Sequence, residues 1–189
     1  MFDETKIQRA VTSIIKAIGD NPKREGLVDT PRRVAEMYAE LFVGLDKDPG
    51  KELRVAYELG HREMIIMKDI PFYSICEHHL LPFYGVVHIG YIPNEEGRVV
   101  GISKLARVVE IVSRRLQIQE RMATEIADAI VSGLKPAGVA VVIQAEHLCM
   151  IMRGIKKTGA SVITSALRGN FRRQAASRAE FLSLIQGNK

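Results

Sequence analysis

The sequence predicts an α+β fold in which an antiparallel sheet packs against helices, with an N-terminal helical extension before the sheet. Apolar residues first recur at helical spacing and then, from Met64 onward, fall into short β-rich runs bounded by turn residues. These runs form two groups separated by two helices, which favours antiparallel pairing over a parallel α/β sheet. We expect residues 1–60 to form the extension and residues 61–189 the sheet-containing domain.

Two helices account for the predicted extension. In the first, five apolar residues follow the helical repeat between Lys6 and Ile18, and Gly19 stands where a C-cap is expected. The second opens at Thr30-Pro31, read as an N-cap followed by a first-turn proline, and closes at Gly44. A loop is expected over Asp46–Lys51, which contains Pro49-Gly50.

Five strands and three further helices are predicted for the rest of the chain. The strands are Met64–Ile70, Phe83–Ile92, Arg98–Ile102, Val139–Met152 and Ser161–Leu167. We expect one hairpin across Pro93–Gly97 and another across Arg153–Gly159. The helices run from Ser103, read as an N-cap, to about Arg115, from Gln119 to Val131, and from Arg178 to Ile185.

Composition excludes two broad classes of protein. At 47% hydrophobic and 26% charged residues, the chain is too apolar for a disordered protein and too charged for a membrane protein. The longest stretch without a charged residue, 78–94, is too short to span a bilayer. The acidic start, Met-Phe-Asp-Glu, does not resemble a secretory signal, so we expect a cytoplasmic protein.

The net charge of +5 is concentrated at the C-terminal end. Residues 149–189 carry eight Lys/Arg against one Asp/Glu, a balance of +7. Such a segment is typical of proteins that bind nucleic acid, an anionic membrane surface or a phosphorylated small ligand, and charge alone does not choose among these.

Both cysteines and three of the five histidines fall in two short segments, Cys76-Glu-His78-His79 and His147-Leu-Cys149. A C-x-x-H spacing lets one turn aim a thiolate and an imidazole at one point, and residues two apart on a strand share a face. Thiolate with imidazole favours zinc over magnesium or calcium. Two kinds of site remain open: a closed structural site with four ligands, or a catalytic site with three ligands and an open position for water.

Two further groups of polar residues bear on the choice of ligand. Ser103-Lys104, with Arg107 one turn later, opens a predicted helix and could cradle an anion, although solvated basic residues beside an N-cap are commoner. Arg153 follows Cys149 closely enough to reach a metal held there. Glu120, at the start of a helix, has the ordinary interpretation of a first-turn acidic residue.

Motifs along nearly the whole chain resemble those of the GTP cyclohydrolase I family. They occur in the family's order: Asp29-Thr-Pro-Arg-Arg-Val-Ala-Glu-Met-Tyr38, Ser74-Ile-Cys-Glu-His-His79, Tyr91-Ile-Pro93, Gly101-Ile-Ser-Lys-Leu105, Gln117-Ile-Gln-Glu-Arg121, His147-Leu-Cys149, and Met152-Arg-Gly154 through Thr164-Ser-Ala166. One departure is Glu36, where some bacterial relatives carry a basic residue that helps to hold phosphate.

The resemblance implies a zinc-dependent hydrolase that opens folate and pterin biosynthesis. Cys76, His79 and Cys149 are then the three Zn2+ ligands, which favours the open catalytic site. An activated water attacks C8 of the guanine ring of GTP, a second hydrolysis releases that carbon as formate, and the opened ribose recloses to give 7,8-dihydroneopterin triphosphate. His78 and His147 are the implied acid/base pair.

The resemblance also implies the substrate contacts and the assembly. Glu120, with the neighbouring Gln119, reads guanine by accepting from N1–H and the 2-amino group. The triphosphate partners are basic side chains with one serine beside them, namely Lys104, Arg107, Arg153, Arg33 and Ser103. The implied fold is the tunnelling fold, in which the sheet closes only by oligomerising. The assembly is a homodecamer of two pentamers with active sites between subunits.

Two alternatives predict different behaviour. A structural-zinc module with a basic tail would bind nucleic acid with steep salt dependence, but the tail has only Phe171 and Phe181 as aromatic residues for stacking. A nitrile reductase with the same general sheet would use a cysteine nucleophile and NADPH without a metal, which leaves the second cysteine beside a histidine unexplained. We therefore expect an enzyme that handles GTP, with no nucleic-acid or membrane partner.

Overall fold

The computed structural model describes residues 2–186. The chain divides into two compact units, Met1–Val43 and Gly44–Lys189. The predicted boundary after residue 60 stays a prediction. Within residues 2–186, no helix is both long enough and apolar enough to cross a membrane.

The N-terminal unit contains two helices, α1 (Glu4–Ala17) and α2 (Thr30–Leu41). The Asp3 side chain caps α1 by accepting from the backbone N–H of Lys6 at 2.9 Å. The interpretation of Thr30 as an N-cap was wrong by one residue, because α2 begins at Thr30 and Asp29 occupies the cap position. The helix ends at Leu41, three residues before the predicted Gly44.

The second unit holds seven strands, five helices and one 3₁₀ turn, within residues 44–186. The strands are β1 (Ala56–Glu58), β2 (Ile65–Cys76), β3 (Pro82–Ile92), β4 (Arg98–Val100), β5 (Leu116–Gln117), β6 (Gly138–His147) and β7 (Val162–Gly169). The helices are α3 (Ile102–Ser113), α4 (Gln119–Leu134), α5 (Leu148–Ile151), α6 (Asn170–Arg173) and α7 (Ala175–Gln186), and the 3₁₀ turn covers Pro49–Leu53, partly within the predicted loop.

Five strands form one sheet in the order β5-β2-β3-β6-β7. All neighbours pair antiparallel except β2 and β5, which pair parallel over two residues. The predicted class, α+β with an antiparallel sheet packed against helices as in the tunnelling fold, is confirmed. The β6–β7 hairpin is confirmed as well.

The predicted hairpin between β3 and β4 was wrong. β4 pairs instead with β1, a three-residue strand too short to show alternation in the sequence. A turn at Asn94–Gly97 redirects the chain: the N–H of Gly97 donates to the carbonyl of Asn94, and Gly97 adopts a positive φ of 66°. A hydrogen bond connects β4 to β3, in which the N–H of Val100 donates to the hydroxyl of buried Tyr91 at 3.3 Å.

The sheet buries an apolar core on each face. Alternate residues of β6, Val139, Val141 and Ile143, pack with α3 and α4 in the larger core, while Ala140 and Val142 face a smaller core containing Phe171 and Phe181. Because α3 and α4 cover one face, their N-terminal turns lie at fixed places relative to the strands.

Buried His88 lies opposite an irregularity in β2. The ladder between β2 and β3 shifts register between Met67 and Ile70, and Asp69 there has a positive φ of 58°. The N–H of Asp69 donates to Nδ1 of His88 at 3.2 Å. Burial lowers the pKa of His88 below its ordinary value, and the nearby Asp69 carboxylate only partly opposes this. The structure therefore holds His88 neutral.

Candidate functional site

The turn between β2 and β3 aims the first two candidate metal ligands. Cys76 ends β2 and is buried, and its N–H donates to the carbonyl of Leu81 at 2.9 Å. The N–H of Leu80, which has a positive φ of 53°, donates back to the carbonyl of Cys76 at 2.9 Å. This closed turn brings His79 over Cys76, with His79 Nδ1 3.9 Å from Cys76 Sγ.

Cys149 lies beside Cys76 and His79, but on a different element from the strand that the sequence predicted. The strand predicted over 139–152 ends at His147, and Leu148–Ile151 forms the helical turn α5. His147 and Cys149 therefore do not share a strand face, and that prediction was wrong. A continuous apolar run does not distinguish a strand from a helical turn, and the N–H of Met152 bonds the carbonyl of Leu148 as in a helix.

The ligand atoms of Cys76, His79 and Cys149 all lie within 4.8 Å of one another. Two ligands of a tetrahedral zinc with ordinary bond lengths are about 3.6 Å apart, so the trio needs only a small closure to hold the ion. No fourth Cys, His, Asp or Glu joins this group among residues 2–186. Two thiolates and one imidazole fit zinc, and a three-ligand set fits a catalytic site with an open position.

The surroundings of Cys149 have opposing effects on its pKa. Burial and the neighbouring Cys76 thiol raise the pKa of Cys149, whereas the Arg153 guanidinium opposes the rise. The same guanidinium lies 3.4 Å from Nε2 of His79. Arg153 thus lies beside one of the three candidate ligands, and its reach to a bound metal stays a prediction.

His147 is held from two directions. Its Nε2 lies 2.8 Å from Oε1 of Gln119, and its ring stacks on Phe83 with centroids 4.7 Å apart and planes 3° from parallel. Burial lowers the pKa of His147, and the carboxylate of Glu120 partly opposes this. His147, Gln119 and Glu120 therefore form one cluster at the start of α4.

The side chain of His78 is more exposed and less constrained by neighbours than that of His147. Its side chain is 65% exposed, and Nε2 is 3.9 Å from Oε1 of Glu77. Glu77 in turn pairs with Arg121 of α4, and this hydrogen bond holds the pKa of Glu77 below its ordinary value. The Glu77–Arg121 pair thus connects the turn between β2 and β3 to α4, and the imidazole of His78 stays accessible to solvent.

The predicted anion cradle lies in the first turns of α3. This helix begins at Ile102 with Gly101 at its cap position, so the interpretation of Ser103 as the N-cap was wrong and Ser103 lies exposed inside the first turn. Lys104 Nζ and Arg107 NH1 lie 3.4 Å and 3.6 Å from the same Glu52 carboxylate oxygen. Both cations are thus paired within the chain.

Two predicted substrate residues are exposed. Glu120 lies in the first turn of α4 with its side chain open to solvent. Arg33 lies on α2 in the N-terminal unit, 3.4 Å from Asp29 within the same helix region.

Three contacts of the site were missed by sequence reasoning. Phe83 had no signal beyond its place in a strand, and Glu52 lies in a segment outside every quoted motif. Gln119 was noticed only as a neighbour of Glu120, and its contact with His147 joins residues 28 apart in the chain.

Comparison with known proteins gives consistent results. A family model described as GTP cyclohydrolase I matches residues 7–186. A protein of Dehalococcoides mccartyi called GTP cyclohydrolase 1 is 73% identical over 186 residues, covering 98% of each chain. A protein of the same name from Halalkalibacterium halodurans is 57% identical over 185 residues, again covering 98% of each chain. Among solved structures, the apo archaeosine synthase QueF-Like gives a TM-score of 0.44 at 18% identity, covering 56% of this chain and 93% of that chain.

Proposed function

The chain belongs to the GTP cyclohydrolase I family, and on this premise we propose that it hydrolyses GTP at guanine C8 to formate and 7,8-dihydroneopterin triphosphate. The two hydrolytic steps consume two waters, and closure of the pterin ring returns one. This reaction is the first step of tetrahydrofolate and pterin biosynthesis. The observation that carries the proposal is the Cys76–His79–Cys149 cluster, whose ligand atoms lie within 4.8 Å of one another, in a chain of this family.

Cys76, His79 and Cys149 would hold Zn2+. When bound, zinc supplies Lewis acidity that brings the pKa of a water to about 7, so that a nucleophile is available at neutral pH. The approach of Arg153 to His79 supports a further role for this guanidinium beside the cluster, where it would face the anionic substrate.

His78 and His147 would carry protons to and from the ring nitrogens and the ribose oxygen. Two histidines with different surroundings suit two different proton transfers. The exposed imidazole of His78 can exchange protons with solvent, whereas the half-buried imidazole of His147 is held neutral at physiological pH by burial, which lowers its pKa. A neutral imidazole is ready to accept a proton.

Glu120 would read the guanine base, because one carboxylate can accept from N1–H and the 2-amino group together, which adenine does not offer. Gln119 is its neighbour in the proposed subsite. Lys104, Arg107, Arg153 and Arg33, with Ser103 beside them, would hold the triphosphate. The paired state of Lys104 and Arg107 with Glu52 supports this role, since both cations already converge on one anionic oxygen.

The working assembly would be a homodecamer, a dimer of pentamers with active sites between subunits. The five-stranded sheet has two open edges, β7 on one side and most of β2 on the other, because β5 covers only Ile75 and Cys76. Open edges are templates for pairing with another copy. We expect a solution mass about ten times the 21.1 kDa of the chain.

The test is to incubate the protein with GTP, with and without a chelator and with zinc restored, and to measure formate and the fluorescence of the oxidised pterin. We expect product with zinc, none after chelation, and recovery on adding zinc back. ATP is the matched control substrate and should give no formate. Absence of formate from GTP in the zinc-loaded oligomer would refute the proposed function.

A further inference from the structure

We propose that Gln119 is a positioning residue that fixes the ring of His147 by accepting a hydrogen bond from Nε2, so that Nδ1 is the ring edge left to face the substrate. The inference rests on the proposed function of His147 as a proton carrier. It assigns to the Gln119 side chain a role different from contact with guanine.

The hydrogen bonds of Gln119 determine which way its amide points. The side chain is buried, with 2% of its surface exposed. Its amide nitrogen donates to the carbonyl of Ile143 on β6 at 3.1 Å and to the carbonyl of Val162 on β7 at 2.9 Å. A reversed amide would set an oxygen against two carbonyl oxygens and leave buried acceptors unpaired, which costs about 1–3 kcal/mol for each group.

The orientation of the amide determines the tautomer of His147. Both amide hydrogens are used by the two carbonyls, so Oε1 is the atom that faces His147 Nε2 at 2.8 Å. An amide oxygen only accepts, and therefore Nε2 must donate. In a neutral imidazole with Nε2 protonated, Nδ1 is the atom with a free lone pair.

Phe83 fixes the remaining freedom of the ring. It is fully buried and stacks face to face on His147 with planes 3° from parallel. The stack sets the plane of the ring, and the bond to Gln119 sets its rotation within that plane. Phe83 shares a core cluster with Cys76, and Cys149 packs against that cluster, so zinc content must be measured beside the orientation of His147.

The arrangement predicts a specific kinetic signature. Loss of an outer partner that orients a metal-ligating histidine typically costs about 10- to 100-fold in activity, and we expect a similar cost for the orientation of His147. Because Gln119 acts through His147, Gln119→Met should lower kcat by about that factor and change the KM for GTP less than twofold. A residue that reads guanine would instead raise KM.

The experiment follows the Nε2-bound proton of His147 by NMR of the protein labelled with 15N-histidine. His147→Ala identifies the signal among those of the five histidines. The wild type should show this proton protected from exchange, and Gln119→Met should lose it. Gln119→Glu keeps an acceptor facing Nε2 but sets its second oxygen against the carbonyls of Ile143 and Val162. It should therefore lose stability and, where it folds, retain the proton and a higher kcat than Gln119→Met.

Gln117→Met is the matched control. Gln117 is equally buried, and its amide donates to the carbonyl of Val112 and to Glu125, at 3.0 Å each. This variant should lose stability and keep the protected proton on His147. Zinc content and solution mass are measured for every variant, so that misfolding is recognised.

Four outcomes would overturn the inference: an unprotonated Nε2 in wild-type His147, a protected proton that survives in folded Gln119→Met, loss of that proton in folded Gln117→Met, or a KM effect larger than the kcat effect. If Gln119→Met does not fold, the wild-type spectrum still tests the inference, because an unprotonated Nε2 of His147 there overturns it without any variant. Failure of the proposed function gives a different result from failure of this inference, because a protein that releases no formate from GTP can still show the protected proton on His147.

Discussion

If Lys104 and Arg107 hold the triphosphate as proposed, the carboxylate of Glu52 competes with GTP for them, and we expect Glu52→Gln to lower the KM for GTP. In the free enzyme one oxygen of Glu52 lies 3.4 Å from Lys104 Nζ and 3.6 Å from Arg107 NH1. A triphosphate that binds the same two cations must displace or share this oxygen, and it is also repelled by the carboxylate. The amide of glutamine keeps the shape of the side chain and removes the charge.

The size of the effect follows from distance and exposure. At an effective dielectric constant near 20, each pair has a gross Coulomb energy of about 5 kcal/mol. Solvent and side-chain entropy reduce the net value of such pairs to about 0.2–1 kcal/mol. Glu52 and Lys104 are each 27% exposed and Arg107 is 63% exposed, so the Lys104 pair is the stronger. Together they give about 1–1.4 kcal/mol, which corresponds to a KM about 5- to 10-fold lower.

The assay is the initial rate of pterin formation as a function of GTP concentration, at low and at high salt. The difference between Glu52→Gln and the wild type should shrink at high salt, because screening weakens exposed pairs. Glu110→Gln is the matched control: it makes the same charge change on α3, where Glu110 pairs with Arg114 at 2.7 Å. An unchanged KM in Glu52→Gln would refute the competition, and a higher KM would show that Glu52 instead holds the cations in place for the triphosphate.

Three further predictions address the metal, the core and pH. Cys149→Ser should lose bound zinc and activity together, whereas His78→Ala should keep zinc and lose turnover; metal analysis beside the rate assay checks both. Tyr91→Phe should lower the free energy of unfolding by about 1–3 kcal/mol, measured in urea, because the buried N–H of Val100 loses its acceptor. Burial holds the pKa of His88 below its ordinary value, so the unfolded chain takes up this proton first as pH falls; stability should drop below about pH 6.5 and level off below the lowered pKa.

Each of these predictions has a control and a contrary result. Loss of zinc in His78→Ala would make His78 a ligand. Tyr73→Phe, at an exposed tyrosine, should leave the free energy of unfolding nearly unchanged. An equal loss in Tyr73→Phe and Tyr91→Phe would show that the Tyr91 hydroxyl has no special role. The contribution of His88 is the difference between wild type and His88→Asn across pH, and identical pH profiles would contradict its neutral state.

Much of the fold was predictable because its signals are local. The helical repeat before Ile18 and the apolar face of the segment after Ser103 gave helices close to α1 and α3. The turn residues of Arg153–Gly159 indicated the β6–β7 hairpin. The β3–β4 hairpin failed because pairing of β4 with β1 depends on a distant three-residue strand, and no local pattern carries that information.

The candidate metal ligands were predictable for a different reason. Cys76, His79 and Cys149 are rare residue types in two short segments, and their chemistry identifies them even where the local structure was misjudged. The strand argument for Cys149 was wrong, yet its thiol still lies in the cluster, because the end of β6 and the turn α5 deliver it beside β3.

Residue identity and spacing establish which chemical groups the protein has: two thiols, an imidazole, basic side chains on α3 and an acidic residue at the start of α4. These groups are visible in the unfolded chain. How they are constrained depends on tertiary contacts. The bond from Gln119 to His147, the stack on Phe83 and the pairing of Glu52 with Lys104 and Arg107 join residues far apart in the chain, and such contacts exist only once the sheet and its helices bury them against one another.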